Sequence, residues 1–492
     1  MKNKYIVSLF AAIGMFATGC GDSFLDIESA SGVQDGPEMI RNNAEMQVAV
    51  NGAYVYLECY RVSTTMHGDV MGDDLQSYPW DYRLEVYYHM DRRTPNFTGT
   101  DLWTRLYKGS FDIKTKLDKF QYIRDRNEDT DRMIAELRFI RAILHWEASL
   151  RYGPLPSNLG KGKIKADALG AMITDKLPDD MMRTYYRDKV SDVFNFMISE
   201  MEDIVDDLPK AHREAALNYW AGKMFLARLY LYTEQWDKAF ACAKDVIENG
   251  GYTLYTRDNY VDSWKEAYAS ESIFEMPTTE SDNASWDALG YFVNGYGYNA
   301  VIATTDFVSL WDDGDVRFDL LEDPYWDWFP KHFTDDYDWD RCYFISKKYP
   351  GRGDNLKVCN PKVFRLSEAY LIAAEAALRG SEGVGVGSGY LTELRRNRTT
   401  TDPEKYNAGY DLDDVLYERR LELIGEGHRA FDLWRNQRTV VKYHGEPNFQ
   451  WTDFDEMPFD DYHVILPIAV RELELMSAED KQSQQNPGYG LF

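Results

Sequence analysis

The sequence predicts an all-α protein, in which one large helical domain, residues 41–492, carries long irregular loop insertions. Apolar residues recur at spacings of three and four along paired segments, which is typical of amphipathic helices. Two other stretches are rich in Trp, Tyr and Asp and lack this periodicity. The predicted helix pairs span about 44–123, 131–208, 213–250 and 361–436, and the insertions span about 64–100 and 281–360.

The clearest helix pair lies within residues 215–248. Leu226, Ala227 and Tyr230 share one face of the first helix, and a short polar turn at 233–235 precedes the second. This alternation of bulky, small and aromatic residues resembles a tetratricopeptide (TPR) unit. The other pairs join 44–60 with 102–123, 131–151 with 185–208, and 363–378 with 412–434. Alternating glycines between 383 and 389 predict a flexible link within the last of these pairs.

The composition excludes some classes of partner. The 492 residues include 55 Lys and Arg against 82 Asp and Glu, a formal net charge of −27. Nucleic-acid binding needs a basic surface for phosphate contacts, so no nucleic-acid partner is expected. The charge instead favours solubility and partners that are neutral, basic or recognised by shape.

The N-terminus has the pattern of a bacterial lipoprotein signal. Lys2 and Lys4 precede an apolar run at 6–16, which is too short to span a bilayer. Small residues then lead to Cys20, as in a lipobox, where the cysteine is acylated and becomes the mature N-terminus. We therefore expect a signal peptide at 1–19 and a lipidated tether at 20–40 that anchors a soluble body to a membrane. The alternative is ordinary secretion, with Cys20 a plain thiol.

No motif in the sequence requires a cofactor. Asp336, Asp338 and Asp340 have the spacing that opens an EF-hand, but Arg341 stands where glycine is needed and Lys347 where Glu is needed. A looser surface calcium ion has no support, and no CxxC or HExxH pattern is present. The spacing of Cys342 and Cys359 leaves open whether they pair.

Charges of opposite sign alternate along residues 418–435, around His428 and Asp432. Acidic and basic side chains at helical spacing usually form structural ion pairs. We therefore predict a structural network in this stretch and no catalytic residue.

The aromatic insertions contain the candidate binding residues. Sugar rings stack their apolar faces on indole and phenol rings, while nearby Asp and Asn accept hydrogen bonds from hydroxyls. The alternative is that these rings fill the core. The predicted ligand-binding residues are Trp80, Tyr82, Tyr296, Trp326 and Trp328.

Several segments, in order along the whole chain, resemble the SusD/RagB family of outer-membrane nutrient-binding lipoproteins. The lipobox is followed by Phe24-Leu25-Asp26, as at the start of the family. The TPR-like unit closes with a family-like segment at 246–252. Further matching segments are AELRFIRA at 135–142, YGPLP at 152–156, SIFE at 272–275, DVR at 315–317, FRLSEAYL at 364–371, ERRLEL at 418–423, EGHR at 426–429, DL at 432–433, LPI at 466–468 and QNPGY at 485–489.

The resemblance implies a non-catalytic protein that captures an oligo- or polysaccharide at the cell surface. It also implies delivery of this glycan to a SusC-like TonB-dependent outer-membrane transporter, with the protein anchored through the lipid on Cys20. No position here matches a family motif for ligand binding, so the site residues above are inferred from their chemistry alone. One alternative is a RagB-like, peptide-binding subunit of such a transporter. A surface glycoside hydrolase ranks behind both, since no catalytic motif supports it.

Overall fold

The structure is a computed structural model, and it is built mainly from α-helices, as predicted. The helices of seven or more residues are α1 (Asn43–Ala53), α2 (Gly99–Phe120), α3 (Glu128–Tyr152), α4 (Val190–Ile204), α5 (Tyr219–Tyr232), α6 (Trp236–Asn249), α7 (Leu366–Arg379), α8 (Val384–Arg396), α9 (Leu412–Glu422), α10 (Arg429–Arg435) and α11 (Ala478–Gln484). The described residues are 40–77, 83–90, 99–120, 122–123, 126–176, 185–213, 215–322, 343–442, 454–474 and 476–490.

Short strands and helical turns connect these helices. Within the described ranges, the strands form three two-stranded antiparallel sheets, β1 with β3, β2 with β4, and β5 with β6. The strands are β1 (Leu75–Ser77), β2 (Ser272–Glu275), β3 (Val301–Ala303), β4 (Lys362–Arg365), β5 (Val440–Val441) and β6 (Glu456–Met457). The shorter α-helical turns are His67–Val70, Glu85–His89, Tyr260–Ser263, Leu289–Val293, Thr305–Val308 and Val470–Leu473.

The helices pack in succession around one large core. Helix α3 lies between α2 and α4, and it also contacts α1. Helices α5 and α6 are separated only by residues 233–235, where the sequence predicts the turn. Helix α7 packs on α6 and α8. These contacts bury the apolar faces of the helices, while the TPR-like character of the pairs stays a prediction.

The predicted flexible link at residues 383–389 is wrong, because Val384–Arg396 forms helix α8. Leu391 and Leu394 are buried in a cluster shared with α7, so tertiary packing overrides the weak helix propensity of glycine. At Gly387 a Cβ atom would overlap the hydroxyl of Tyr410. That hydroxyl donates a hydrogen bond of 2.6 Å to the carbonyl oxygen of Ala374 in α7. Glycine therefore allows α8 to pack closely at this point.

The predicted ion-pair network around residues 418–435 is confirmed. Its charged groups are buried and paired, and they join α7, α9 and α10 to the β2–β4 sheet. Burial lowers the pKa of His428 to about 4, so this imidazole is neutral near pH 7. The principal pairs are Arg317 with Glu418, Arg365 with Glu271, Glu422 and Glu426, Arg398 with Glu271 and Glu422, Arg419 with Asp432, and Arg435 with Glu375 and Asp432.

The two predicted insertions lie side by side. Strand β1 of the first pairs with β3 of the second, with Leu75 opposite Ala303 and Ser77 opposite Val301. The amide of Thr304 then donates a 2.9 Å hydrogen bond to the carbonyl oxygen of Asp74. Because the strands are more than 200 residues apart in sequence, this pairing brings two distant parts of the chain to one place.

Cys59, Cys242 and Cys359 are free thiols. The structure therefore shows no disulfide at Cys359, and Cys342 lies outside the described residues.

Candidate functional site

A cleft of about 720 Å³ lies where the two insertions meet the helical body. One wall comes from the 3₁₀ segment that follows α1, another from the first turns of α2, and a third from the two insertions. Residues that represent these walls are Val55, Glu58, Arg83, Tyr87, Arg105 and Asp287. The cleft therefore needs both insertions and the scaffold for its shape.

The inner end of the cleft is closely packed. His67 and Tyr87 both line it, and their rings stack with centroids 3.5 Å apart and an angle of 24° between planes. Both side chains are almost fully buried. Two apolar residues of α2, Leu102 and Leu106, also line the cleft and are buried. A ligand would therefore contact a closely packed, largely apolar surface at this end of the cleft. The charged residues of the lining are more exposed and lie nearer the opening.

An aromatic row, defined as Trp286, Tyr291 and Tyr298, flanks the cleft. The ring centroids of Trp286 and Tyr291 lie 4.9 Å apart, and those of Tyr291 and Tyr298 lie 5.9 Å apart. Trp286 is 56% exposed and directly precedes Asp287, which lines the cleft. Tyr291 and Tyr298 are half-buried, so Trp286 is the most exposed ring of the row. An exposed indole can stack on the apolar face of a planar or ring-shaped ligand.

Cations lie against both ends of the aromatic row. The guanidinium carbon of Arg83, which also lines the cleft, is 3.5 Å from the centroid of the Tyr298 ring. The ammonium of Lys357 is 4.2 Å from the Trp286 ring. Cation–π contacts at these distances are attractive and hold the rings in place. Because Arg83 and Tyr298 belong to different insertions, this contact also joins the two.

Cys59 lines the cleft but is not suited to nucleophilic catalysis. Burial raises the pKa of its thiol well above the usual range, and the nearby carboxylate of Glu147 adds to this effect. The thiolate is the reactive form of cysteine, so a protonated thiol is inert. Within the described ranges, no group of three or more His, Cys, Asp or Glu side chains is arranged to hold a metal ion.

Of the predicted binding residues, Tyr296 is the one that the structure describes. It is 66% exposed, and its amide donates a 2.9 Å hydrogen bond to Oδ1 of Asn294 in the same loop. It lies between Tyr291 and Tyr298 in sequence and is thus next to the aromatic row along the chain. The remaining predicted residues fall outside the described ranges and stay predictions, namely Trp80, Tyr82, Trp326, Trp328, the lipidation site Cys20 and the calcium-like Asp336, Asp338 and Asp340.

The three rings of the aromatic row and the cations at the cleft were not predicted from the sequence. Trp286 and its neighbours fall in the predicted insertion, but sequence cannot separate exposed rings from buried ones. Tyr349 illustrates this, since it lies in the same insertion and is almost fully buried. Nothing in the sequence separates Arg105 from the other cations of this helix, and only its place on α2 brings it to the cleft.

No helix among the described residues combines the length and apolar content needed to cross a membrane.

Comparisons with known proteins agree with the fold and with the motifs. A sequence profile of the SusD family matches residues 343–489. The crystal structure of a SusD superfamily protein from Bacteroides vulgatus superposes with a TM-score of 0.80 at 30% identity, covering 92% of this chain and all of that one. A SusD-like protein of Bacteroides ovatus is 24% identical, covering 88% of this chain and 82% of its own.

A more distant structure shares the fold. It is surface glycan-binding protein A from Bacteroides thetaiotaomicron, with a TM-score of 0.66 at 19% identity, covering 90% of this chain and 98% of that one. The resemblance seen in the sequence motifs is thus confirmed over almost the whole length. The chain belongs to the SusD family.

Proposed function

We propose that this protein is a cell-surface lipoprotein that captures an oligo- or polysaccharide at the cleft. It then delivers the glycan to a SusC-like TonB-dependent transporter of the outer membrane. The observation that carries this proposal is the aromatic row of Trp286, Tyr291 and Tyr298 beside a cleft of about 720 Å³. A cleft of this size falls within the usual range for binding sites.

The chemistry of the site suits a sugar. The exposed face of Trp286 offers a surface for the C–H face of a pyranose ring. Glu58 and Asp287 line the cleft with carboxylates, which accept hydrogen bonds from hydroxyls. The relative named as a surface glycan-binding protein supports the same ligand class. Trp80, Tyr82, Tyr296, Trp326 and Trp328 remain proposed ligand contacts, since they belong to the same two insertions.

Anchoring through Cys20 would place the cleft at the outer surface of the cell. Two or more acyl chains hold a protein on a membrane that a single chain would release. The protein would then need no membrane-spanning segment of its own. The transporter is the partner that the family implies, and it would supply the passage through the membrane.

Capture without catalysis is part of the proposal. Native electrophoresis of residues 21–492 in gels cast with neutral and acidic polysaccharides tests it, with each mixture also assayed for new reducing ends. We expect retardation in at least one glycan without new ends. Trp286→Ala should weaken binding about fivefold to tenfold, as expected for the loss of one stacked ring. Trp311→Ala is the matched control, because it removes a half-exposed indole that packs on Phe318 away from the cleft lining.

Each outcome has a different meaning. Equal losses in the two variants would contradict the assignment of the site to the aromatic row. New reducing ends would indicate a glycoside hydrolase. Retardation in none of the glycans, combined with binding to peptides, would favour the RagB-like alternative.

A further inference from the structure

Two cations point to the nature of the ligand. Arg105 and Lys108 are three residues apart on α2 and therefore lie on the same face of that helix. Both are exposed, and both line the cleft. Neither forms a hydrogen bond or ion pair with any residue in the part of the chain that the structure describes.

Two other cations of α2, away from the cleft, are paired with carboxylates. Lys114 forms an ion pair of 2.9 Å with Asp118, and Lys116 is paired with Asp112. Neither of these lysines lines the cleft. Thus two of the three cations further along the helix have carboxylate partners four residues away, and the third is Lys119. The two cations at the cleft face the space that a ligand would occupy.

The balance of charge at the cleft is opposite to that of the whole chain. Its lining holds three cations, Arg83, Arg105 and Lys108, against two carboxylates, Glu58 and Asp287. Lys357 adds a further cation at the edge, beside Trp286. The chain as a whole has a formal net charge of −27. An excess of acids would, by composition alone, give any large surface a negative charge, so this local positive charge is specific to the site.

Distant acidic residues do not cancel this local charge. At physiological ionic strength the Debye length is about 8 Å, so exposed charges further away are largely screened from a bound ligand. Groups that touch the ligand are screened much less. The sign of the charge on the cleft lining therefore decides whether an anionic ligand is accepted, even on an acidic protein.

We propose that the glycan captured at the cleft is anionic, with carboxylate or sulfate groups that bind to Arg105 and Lys108. This inference rests on the proposed function and specifies its ligand. The guanidinium of Arg105 can bind a carboxylate or sulfate through two parallel hydrogen bonds, while Lys108 acts as a compact charge. The aromatic row would stack on the sugar rings, and the two cations would select those that carry a negative group.

Pairs of polysaccharides that differ mainly in charge test this inference. Polygalacturonate and highly methyl-esterified pectin share a backbone and differ in free carboxylates. Dextran sulfate and dextran differ in sulfate. Retardation of the wild-type protein is measured in gels of all four, and binding to fragments of the best one is then titrated at low and high NaCl. The first pair detects carboxylate recognition and the second detects sulfate recognition.

The double variant R105Q/K108Q removes both cations, and K163Q/K165Q is its matched control. Lys163 and Lys165 are exposed, do not line the cleft, and give the same change in net charge. We expect R105Q/K108Q to raise the dissociation constant for the charged glycan roughly tenfold, since exposed ionic contacts are individually modest. The control variant should bind as the wild type does. Circular dichroism of both variants shows whether they fold.

The salt titration of the wild-type protein keeps the test valid if the double variant does not fold. Binding of the charged glycan should weaken as NaCl rises, because the contacts are ionic. Equal weakening by the two double variants, or no salt dependence, would overturn the inference. Retardation by the neutral glycans alone would overturn it while leaving the proposed function intact. Retardation by none of the four, nor by any glycan of the earlier panel, would refute both.

Discussion

Glu422, at the end of α9, is the best place to test the buried ion-pair network. Its carboxylate is fully buried and lies between two guanidiniums. Oε2 is 2.8 Å from Nε of Arg398, and Oε1 is 2.8 Å from Nη1 of Arg365. Both arginines are themselves almost completely buried. Glu422→Gln keeps the shape of the side chain but leaves the positive charge of these arginines undercompensated in the interior.

The expected cost follows from this burial. Removing one partner of a buried ion pair typically destabilises a protein by about 3–5 kcal/mol, because the remaining charge is left without compensation. A native protein is usually stable by only about 5–15 kcal/mol. Glu404 gives a matched control, since it pairs with Arg396 but both side chains are nearly half exposed. Glu404→Gln should cost far less, because exposed ion pairs contribute little to stability.

Urea unfolding of residues 21–492, followed by circular dichroism at pH 7, measures both variants. We expect the midpoint of Glu422→Gln to fall clearly below that of the wild type and of Glu404→Gln. Equal midpoints for the two variants would refute this prediction. They would mean that burial does not determine how much these ion pairs contribute to stability.

Two further predictions concern acid stability and anchoring. Burial by itself raises the pKa of Glu426, but the charges of Arg365 and Lys348 outweigh it and lower the pKa to about 2. An unfolded Glu has a pKa of about 4.3, so Glu426 stabilises the fold above that pH, and its contribution is lost as the pH falls to about 2. The free energy of unfolding in urea should therefore fall less steeply for Glu426→Gln than for the wild type between about pH 4.3 and pH 2. Parallel plots of this free energy against pH for the two proteins would contradict the prediction. Cys20→Ala should abolish palmitate labelling and move the protein out of the membrane fraction, whereas unchanged labelling would contradict lipidation.

Helices were predictable where apolar spacing alone specifies them. The α5–α6 pair begins and ends close to its predicted bounds, because Tyr232 and Trp236 flank a polar turn that interrupts the periodicity. The ion pairs around α9 and α10 were likewise visible as alternating charges. In both cases the information is local, since residues three and four apart meet on one helix face.

Predictions failed where a contact distant in sequence decides the local structure. Helix α8 forms despite its glycines because it packs on α7, and Gly387 is needed to accommodate Tyr410. Local propensity cannot reveal that contact. The same limit applies to the site. The insertions were predicted from composition, and Tyr296 is exposed as a binding residue should be, but the role of Trp286 depends on which ring faces solvent.

The position of the cleft depends on a contact between the scaffold and both insertions. Asp74 directly precedes β1, Asp306 follows β3, and Arg420 of α9 forms ion pairs with both carboxylates. Strands of three residues are too short to hold a register by themselves, so this bridge helps to fix the pairing of β1 with β3. Glu418 and Glu422, on the same helix, bind buried arginines instead. Helix α9 thus stabilises the core with its acidic side chains and positions the insertions with a basic one. This division of roles explains why a family-like charged segment can be structural while the proposed ligand site is formed by side chains of the insertions and of α2.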